Sequence, residues 1–275
     1  MRTVYLGTSE FAASVLRSVA RTPHRPQLVV TRPDRPAGRG RRLSPPPVAL
    51  TAHELGIEVF QPDDVNGQDA RSRIAAECPE ALLLCAYGAL IKEELLSEHE
   101  IINVHPSLLP RWRGAAPVER AIMAGDERTG VSIMRLTAGL DSGPVSLQES
   151  VAITADDDYR SLAERLEQVG AALLLRALDQ RPQYADQDDA GATYADKITP
   201  QDRTLDPDAP AEHNVRVVRA LTPHIGARIA LPDGSFLGVR RAQVGEGGEL
   251  ELVDVQPAGG RPMPYDAYLR GRGAR

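Results

Sequence analysis

The chain has 275 residues, 42% of them hydrophobic and 25% charged, with a net charge of −6 and only two cysteines. That balance belongs to a globular protein with one large domain and a small one. Two cysteines exclude a disulfide scaffold, the net charge argues against a general nucleic-acid coat, and no apolar run is long enough to span a bilayer. Cys78 and Cys85 fall in segments of core-forming character and read as inert buried thiols. The first residues, with Glu10 and Arg17, lack a signal-peptide layout, so a cytoplasmic protein without a membrane partner is expected.

Thr3–Leu6 reads as a strand, followed by Gly7 and a helix from Ser9 to Ala20, with Ser9 as N-cap. Gln27–Val30 is a second strand, Val48–Leu55 a helix and Glu58–Phe60 a short strand. Residues 66–78 look helical. Ala81–Ala86 (ALLLCA) is a continuous apolar run, the mark of a parallel strand covered on both faces. A helix from Lys92 and a strand at Ile101–Val104 follow. This alternation predicts an α/β fold with a doubly wound, mostly parallel sheet. No GxGxxG or GxxxxGK motif is present, which disfavours a dinucleotide or P-loop site.

Ile101–Asp141 carries the candidate chemistry. Asn103 and His105 are spaced i, i+2, so in a strand they project from one face. Pro117–Ala124 reads as a helix, and Val131–Leu136 as a strand ending in a turn that bears Asp141. All three polar residues are expected at the strand ends where open α/β sheets bind ligands. An imidazole can move a proton near neutral pH, an amide can donate to a developing oxyanion, and a carboxylate can orient the imidazole and stabilise its charged form. Such a trio suits attack of an amine on a carbonyl. The same pattern would also serve as a simple turn.

Tyr159–Leu178 has helical apolar spacing, and residues 184–210, rich in Asp, Pro and Gly, read as a linker. Ala211–Leu221 is a helix. Three strand candidates follow at Ala227–Leu231, Phe236–Val244 and Glu249–Val255, with Asp233-Gly234 as a hairpin turn. Thr31–Arg42 holds five arginines against one acid in a Pro/Gly-rich loop. Coding bias towards Arg explains part of this, but so dense a cluster also fits a phosphate backbone.

Long stretches resemble the folate-dependent formyltransferase family: VYLGTSEFA at 4–12, RPDRPAGRGRRLSPPPV at 32–48, CAYGALI at 85–91, the run from Asn103 to Met134, GLDSG at 139–143 and GATYADKIT at 191–199. PDRPAGRG together with SLLPRWRGAAP points to the branch acting on charged initiator tRNA. The resemblance implies a Rossmann-like catalytic domain at 1–183, the linker at 184–210 and a small OB-like domain at 211–275 that contacts tRNA. It implies formyl transfer from 10-formyltetrahydrofolate, as co-substrate and without a metal, to the α-amine of methionine on the tRNA. Asn103, His105 and Asp141 match the catalytic trio. Ser107, Leu108, Leu109 and Pro110, with Tyr87, Gly88, Leu90 and Ile91, match the folate-binding segments. Arg35, Arg39, Arg41 and Arg42 match the loop that engages the acceptor end, and a monomer is expected.

This chain departs from the family in three places. The C-terminal domain is shortened between Val244 and Gly248, residues 222–226 read TPHIG where the family carries an aromatic-rich turn, and the turn after Asp141 reads DSGP. A shortened barrel leads to the expectation of weaker, more salt-sensitive tRNA binding. Two other readings use the same residues. A sibling formyltransferase acting on an amino-sugar nucleotide or a glycinamide ribonucleotide would leave the Arg-rich loop without a purpose. A non-catalytic binding module would not turn over folate with any amine.

Overall fold

The computed structural model describes residues 1–37 and 42–273. Its elements are, in order, β1 (Thr3–Gly7), α1 (Glu10–Val19), β2 (Leu28–Val30), β3 (Arg35–Ala37), β4 (Arg42–Ser44), α2 (Pro47–Glu54), β5 (Glu58–Phe60), α3 (Gln68–Ala76), β6 (Ala81–Cys85), α4 (Glu93–Glu98), β7 (Ile101–His105), β8 (Arg113–Gly114), α5 (Pro117–Ala124), β9 (Arg128–Arg135), β10 (Val145–Ala152), α6 (Tyr159–Gln180), β11 (Tyr194–Ala195), α7 (Ala211–Leu221), β12 (Ala227–Ala230), β13 (Phe236–Val244), β14 (Leu250–Gln256), β15 (Met263–Pro264) and α8 (Tyr265–Gly273). The chain divides into two compact units. The first comprises residues 1–115, 130–151 and 164–194, the second 116–129, 152–163 and 195–275.

The first unit is built on a seven-stranded sheet of order β10-β9-β7-β6-β1-β2-β5. Strands β5, β2, β1, β6 and β7 are parallel. The central strands are buried along their whole length, β6 (ALLLC) as an unbroken apolar run and β7 (IINVH) with Asn103 and His105 buried among its apolar residues. Ser9 caps α1, its side chain accepting from the Ala12 amide. From β1 the chain builds outwards through β2 and β5, then returns to place β6 and β7 on the other side. This reversal puts a crevice at the C-terminal ends of β1, β6 and β7, where the candidate residues lie.

Three readings are corrected. β9 runs antiparallel to β7, with Ile102 opposite Arg135 and His105 opposite Ser132. The end of β9 therefore lies beside the start of β7, and Asp141 is not delivered by a parallel strand end. Cys78 is exposed, in a left-handed conformation (φ 46°) just past α3, whereas Cys85 is buried, and burial pushes its thiol up to about 12. The Arg-rich loop forms a short β3–β4 hairpin pairing Arg35 with Ser44 and Ala37 with Arg42.

The second unit holds the antiparallel sheet β12-β13-β14-β15. It has one strand more than the three candidates, and Thr204 adds an isolated parallel bridge to Arg228 beside β12. Asp233-Gly234 makes the first turn, with Gly234 at φ 77°, and a tight Gly245–Glu249 turn makes the second. β15 and α8 were hidden in Pro/Gly- and Arg-rich sequence that carries no clear periodicity.

Arg120 braces this unit by donating to both carboxylate oxygens of Asp202 at 2.8 and 3.1 Å. The guanidinium, reinforced by Thr199, holds the Asp202 carboxyl down at about 2 against an ordinary 3.8. A depressed carboxyl stabilises the fold above its unfolded value and loses that contribution as pH falls through about 2. Asp202→Asn is therefore expected to cost roughly 2 kcal/mol at pH 7 and almost nothing near pH 2. Denaturant titrations at the two pH values check this.

Candidate active site

β7 places Asn103 and His105 on one face, and each is only 4% exposed. A neutral imidazole has one donor and one acceptor nitrogen, and here the surroundings decide which is which. His105 Nε2 lies 2.9 Å from the Trp112 carbonyl, which can only accept, so Nε2 carries the hydrogen. Nδ1 is then the lone-pair nitrogen, and it faces Asp141 Oδ2 at 3.7 Å. This is ion-pair distance, too long for a hydrogen bond. The Trp112 carbonyl orients the ring, and Asp141 stands ready for a positive charge on it.

Asp141 reaches His105 because the 136–144 loop doubles back from the end of β9. Its backbone is left-handed (φ 44°), a conformation aspartate tolerates better than most residues. Its Oδ2 accepts from the Gly114 amide at 2.8 Å. Residues 112–114 thus touch both partners, with one carbonyl on the histidine and one amide on the carboxylate.

That short segment is itself clamped by residues 187–193. The Trp112 amide donates to Thr193 Oγ1, and the Arg113 amide to the Thr193 carbonyl, both at 2.9 Å. The Arg113 side chain, 4% exposed, donates to Gln187 and Asp189. None of these contacts was visible in the sequence. Residues 184–210 read as a linker because they are polar and aperiodic, and only the GATYADKIT match hinted that part of the stretch is specific.

The predicted folate-binding residues fall on two segments. Tyr87 and Gly88 follow β6, at the same sheet edge as His105. Tyr87 and Ile91 are buried, and Leu90 is 72% exposed on the rim. Thr8 Oγ1 donates to the Tyr87 carbonyl, while Asn66 binds the Leu90 carbonyl and the Lys92 amide, so the strip is pinned at both ends. Burial pushes the Tyr87 hydroxyl up to about 12, opposed by the nearby Arg32 charge, and leaves it a protonated donor. No other described residue hydrogen-bonds to that hydroxyl.

Ser107 spends its hydroxyl on the Arg111 carbonyl. Ser132 Oγ donates to the Ser107 carbonyl and accepts from the Leu109 amide. Gln148 donates to the Leu109 carbonyl, so the Ser107–Pro110 segment is fastened to the sheet. Arg35 and Arg42 are exposed on the β3–β4 hairpin, and Arg39 and Arg41 lie outside the described residues. No cluster of potential metal ligands occurs among the described residues, and no helix there is long and apolar enough to cross a membrane.

Residues 1–178 match the formyl transferase family model. A methionyl-tRNA formyltransferase of Halorhodospira halophila is 41% identical over 98% of this chain and 96% of the relative. Another, of Dechloromonas aromatica, is 40% identical with the same coverage. Among solved structures, a methionyl-tRNA formyltransferase from Clostridium thermocellum superposes with a TM-score of 0.66 over 96% of this chain and 99% of the other, at 15% identity. A sugar N-formyltransferase from a Shewanella species gives 0.67 over 90% and 99%, at 20% identity. The two superpositions speak to the fold alone, whereas the family match and the relatives near 40% identity speak to descent. The chain belongs to the formyl transferase family and, within it, to the methionyl-tRNA formyltransferases.

Proposed function

We propose that this chain transfers the formyl group of 10-formyltetrahydrofolate to the α-amine of methionyl initiator tRNA. The observation that carries the reading is the buried Asn103–His105 pair at the ligand-binding edge of the sheet, with the Asp141 carboxylate 3.7 Å from the ring. The folate supplies the carbonyl carbon that the amine attacks. Asn103 donates its amide N–H to the oxyanion that forms. His105, fixed through Nε2, takes the proton released by the amine on Nδ1. That proton faces Asp141, which stabilises the imidazolium until the proton moves on to the leaving nitrogen. Holding both substrates at this edge supplies much of the acceleration.

Tyr87, Gly88, Leu90 and Ile91 with Ser107, Leu108, Leu109 and Pro110 form the folate side of the site in this reading. Ser107 acts by shaping its turn, and Tyr87 offers a buried hydroxyl to a polar edge of the ring. The Arg35/Arg42 hairpin and the small C-terminal sheet take the tRNA. Two chain-lining arginines that neutralise phosphates should appear in the salt dependence. Arg35→Ala combined with Arg42→Ala is expected to weaken initiator-tRNA binding and to flatten the log–log salt slope by about 0.7–0.9 per lost contact. Titrations between 50 and about 200 mM salt measure it.

The reading itself is tested by formyl transfer from 10-formyltetrahydrofolate to charged initiator tRNA, with charged elongator tRNA and an amino-sugar nucleotide in parallel. Formylation of the initiator alone is the expected result. Transfer to the sugar alone would move the chain to a sibling activity, and no transfer to any amine would remove the enzyme reading.

A further inference from the structure

We infer that Gln187 is a positioning residue for the reaction, holding Asp141 at its working distance from His105. The inference rests on the formyl-transfer reading above. Gln187 is half-buried, and its amide is used on both sides. Its Oε1 accepts from Arg113 Nε at 3.1 Å and Nη2 at 2.9 Å. Its Nε2 donates to the Asp141 carbonyl at 2.8 Å and the Gly143 carbonyl at 2.6 Å. Arginine can only donate and a carbonyl can only accept, so the partners fix which end of the amide points which way.

This one side chain therefore ties two loops together. The first, residues 112–114, orients His105 through the Trp112 carbonyl and binds the Asp141 carboxylate through the Gly114 amide. The second, residues 141–143, carries Asp141 in its left-handed conformation. Such a conformation persists where surrounding bonds hold it. The Gly114 amide holds the carboxylate end of Asp141, and Gln187 holds its backbone. Without Gln187, the backbone of the second loop is free to relax, and the 3.7 Å separation from His105 is no longer fixed.

The role predicts a specific pattern. Gln187→Glu keeps an acceptor for Arg113, now charge-assisted, but turns a carboxylate oxygen towards two carbonyl oxygens. The fold loses little, whereas the Asp141 loop loses its tether. Expected are a kcat about 30-fold below wild type, KM values for folate and tRNA within about threefold, and a melting temperature close to wild type. A residue that only satisfied Arg113 would give a Gln187→Glu enzyme of unchanged kcat.

The deciding measurement is a double-mutant cycle on kcat with Asp141→Asn. A residue acting through Asp141 adds little once that carboxylate is gone, so the double variant should be no more than about threefold slower than Asp141→Asn alone. The cycle is repeated with Gln187→Met, which removes the amide without adding charge, so that the stability of one variant does not decide the result. Losses that multiply in either cycle, or a wild-type kcat for Gln187→Glu, would overturn the inference. A wild-type protein that formylates no amine would instead remove the function on which it rests.

Discussion

Replacing His105 with alanine is expected to lower formyl transfer by about a thousandfold, within the range that loss of one general acid–base group costs. The reason lies in how the ring is held. Its Nε2–H is committed to the Trp112 carbonyl, which leaves Nδ1 as the open nitrogen, 3.7 Å from the Asp141 carboxylate. The nearest histidine in sequence, His99, precedes the opposite end of β7. His24 is occupied by Asp179, and His224 stacks on Tyr159 and binds Glu119. Truncation also leaves the Trp112 carbonyl without this partner, at a cost of about 1 kcal/mol in stability, far too little to unfold the sheet. Folate affinity should stay within about threefold of wild type, since the proton-transfer group contributes mainly in the transition state. Single-turnover rates alongside equilibrium folate binding make the comparison, and a variant that kept full turnover would sink the assignment of His105.

Gly143→Ala should damage the same site without touching a reacting group. A Cβ at this position would stand 1.9 Å from the Arg135 carbonyl oxygen and 3.1 Å from Thr137 Cγ2. The obstacle is backbone in the first case, so a side-chain rotation cannot relieve it and the loop must move. Overpacking of this kind costs about 3 kcal/mol, which lowers the melting temperature by about 8 °C for a protein of this size. The displaced loop also carries Asp141 two residues earlier and the carbonyl to which Gln187 donates. A kcat loss of about a hundredfold is expected, with folate binding changed much less. Calorimetry and steady-state kinetics on the purified variant test both halves. A stable variant of normal kcat would show that the loop has slack that the structure does not suggest.

Much of the first unit was legible because its physics is local. Continuous apolar runs such as ALLLC announce buried parallel strands, and the i, i+2 spacing puts Asn103 and His105 on one face without knowledge of anything else. Strand direction is not written in such runs, which is why β9 was read without its antiparallel pairing. Cys78 follows apolar residues in α3 but falls beyond the last turn, where the chain bends out. The contacts that complete the site were the least legible. Those made by Trp112 and Gly114 use backbone atoms, which carry no residue signature. Gln187 is a polar residue in an aperiodic stretch, and its partners lie 44 to 74 positions away. The second sheet was partly read, because β13 and β14 have alternating patterns while β15 is two residues long.

The bonds from residues 187–193 back to 110–114 and 141–143 have a consequence for synthesis. Proteins are made from the N-terminus, and folding can begin on the nascent chain. The strand bearing Asn103 and His105 and the loop bearing Asp141 emerge well before Gln187 and Thr193. A chain halted just after α6 would therefore hold Asn103, His105 and Asp141 with the Trp112 and Gly114 contacts, but without the bonds that residues 187–193 add. The bonds that Thr193 makes to Trp112 and Arg113 therefore form only after the strands they fasten have left the ribosome.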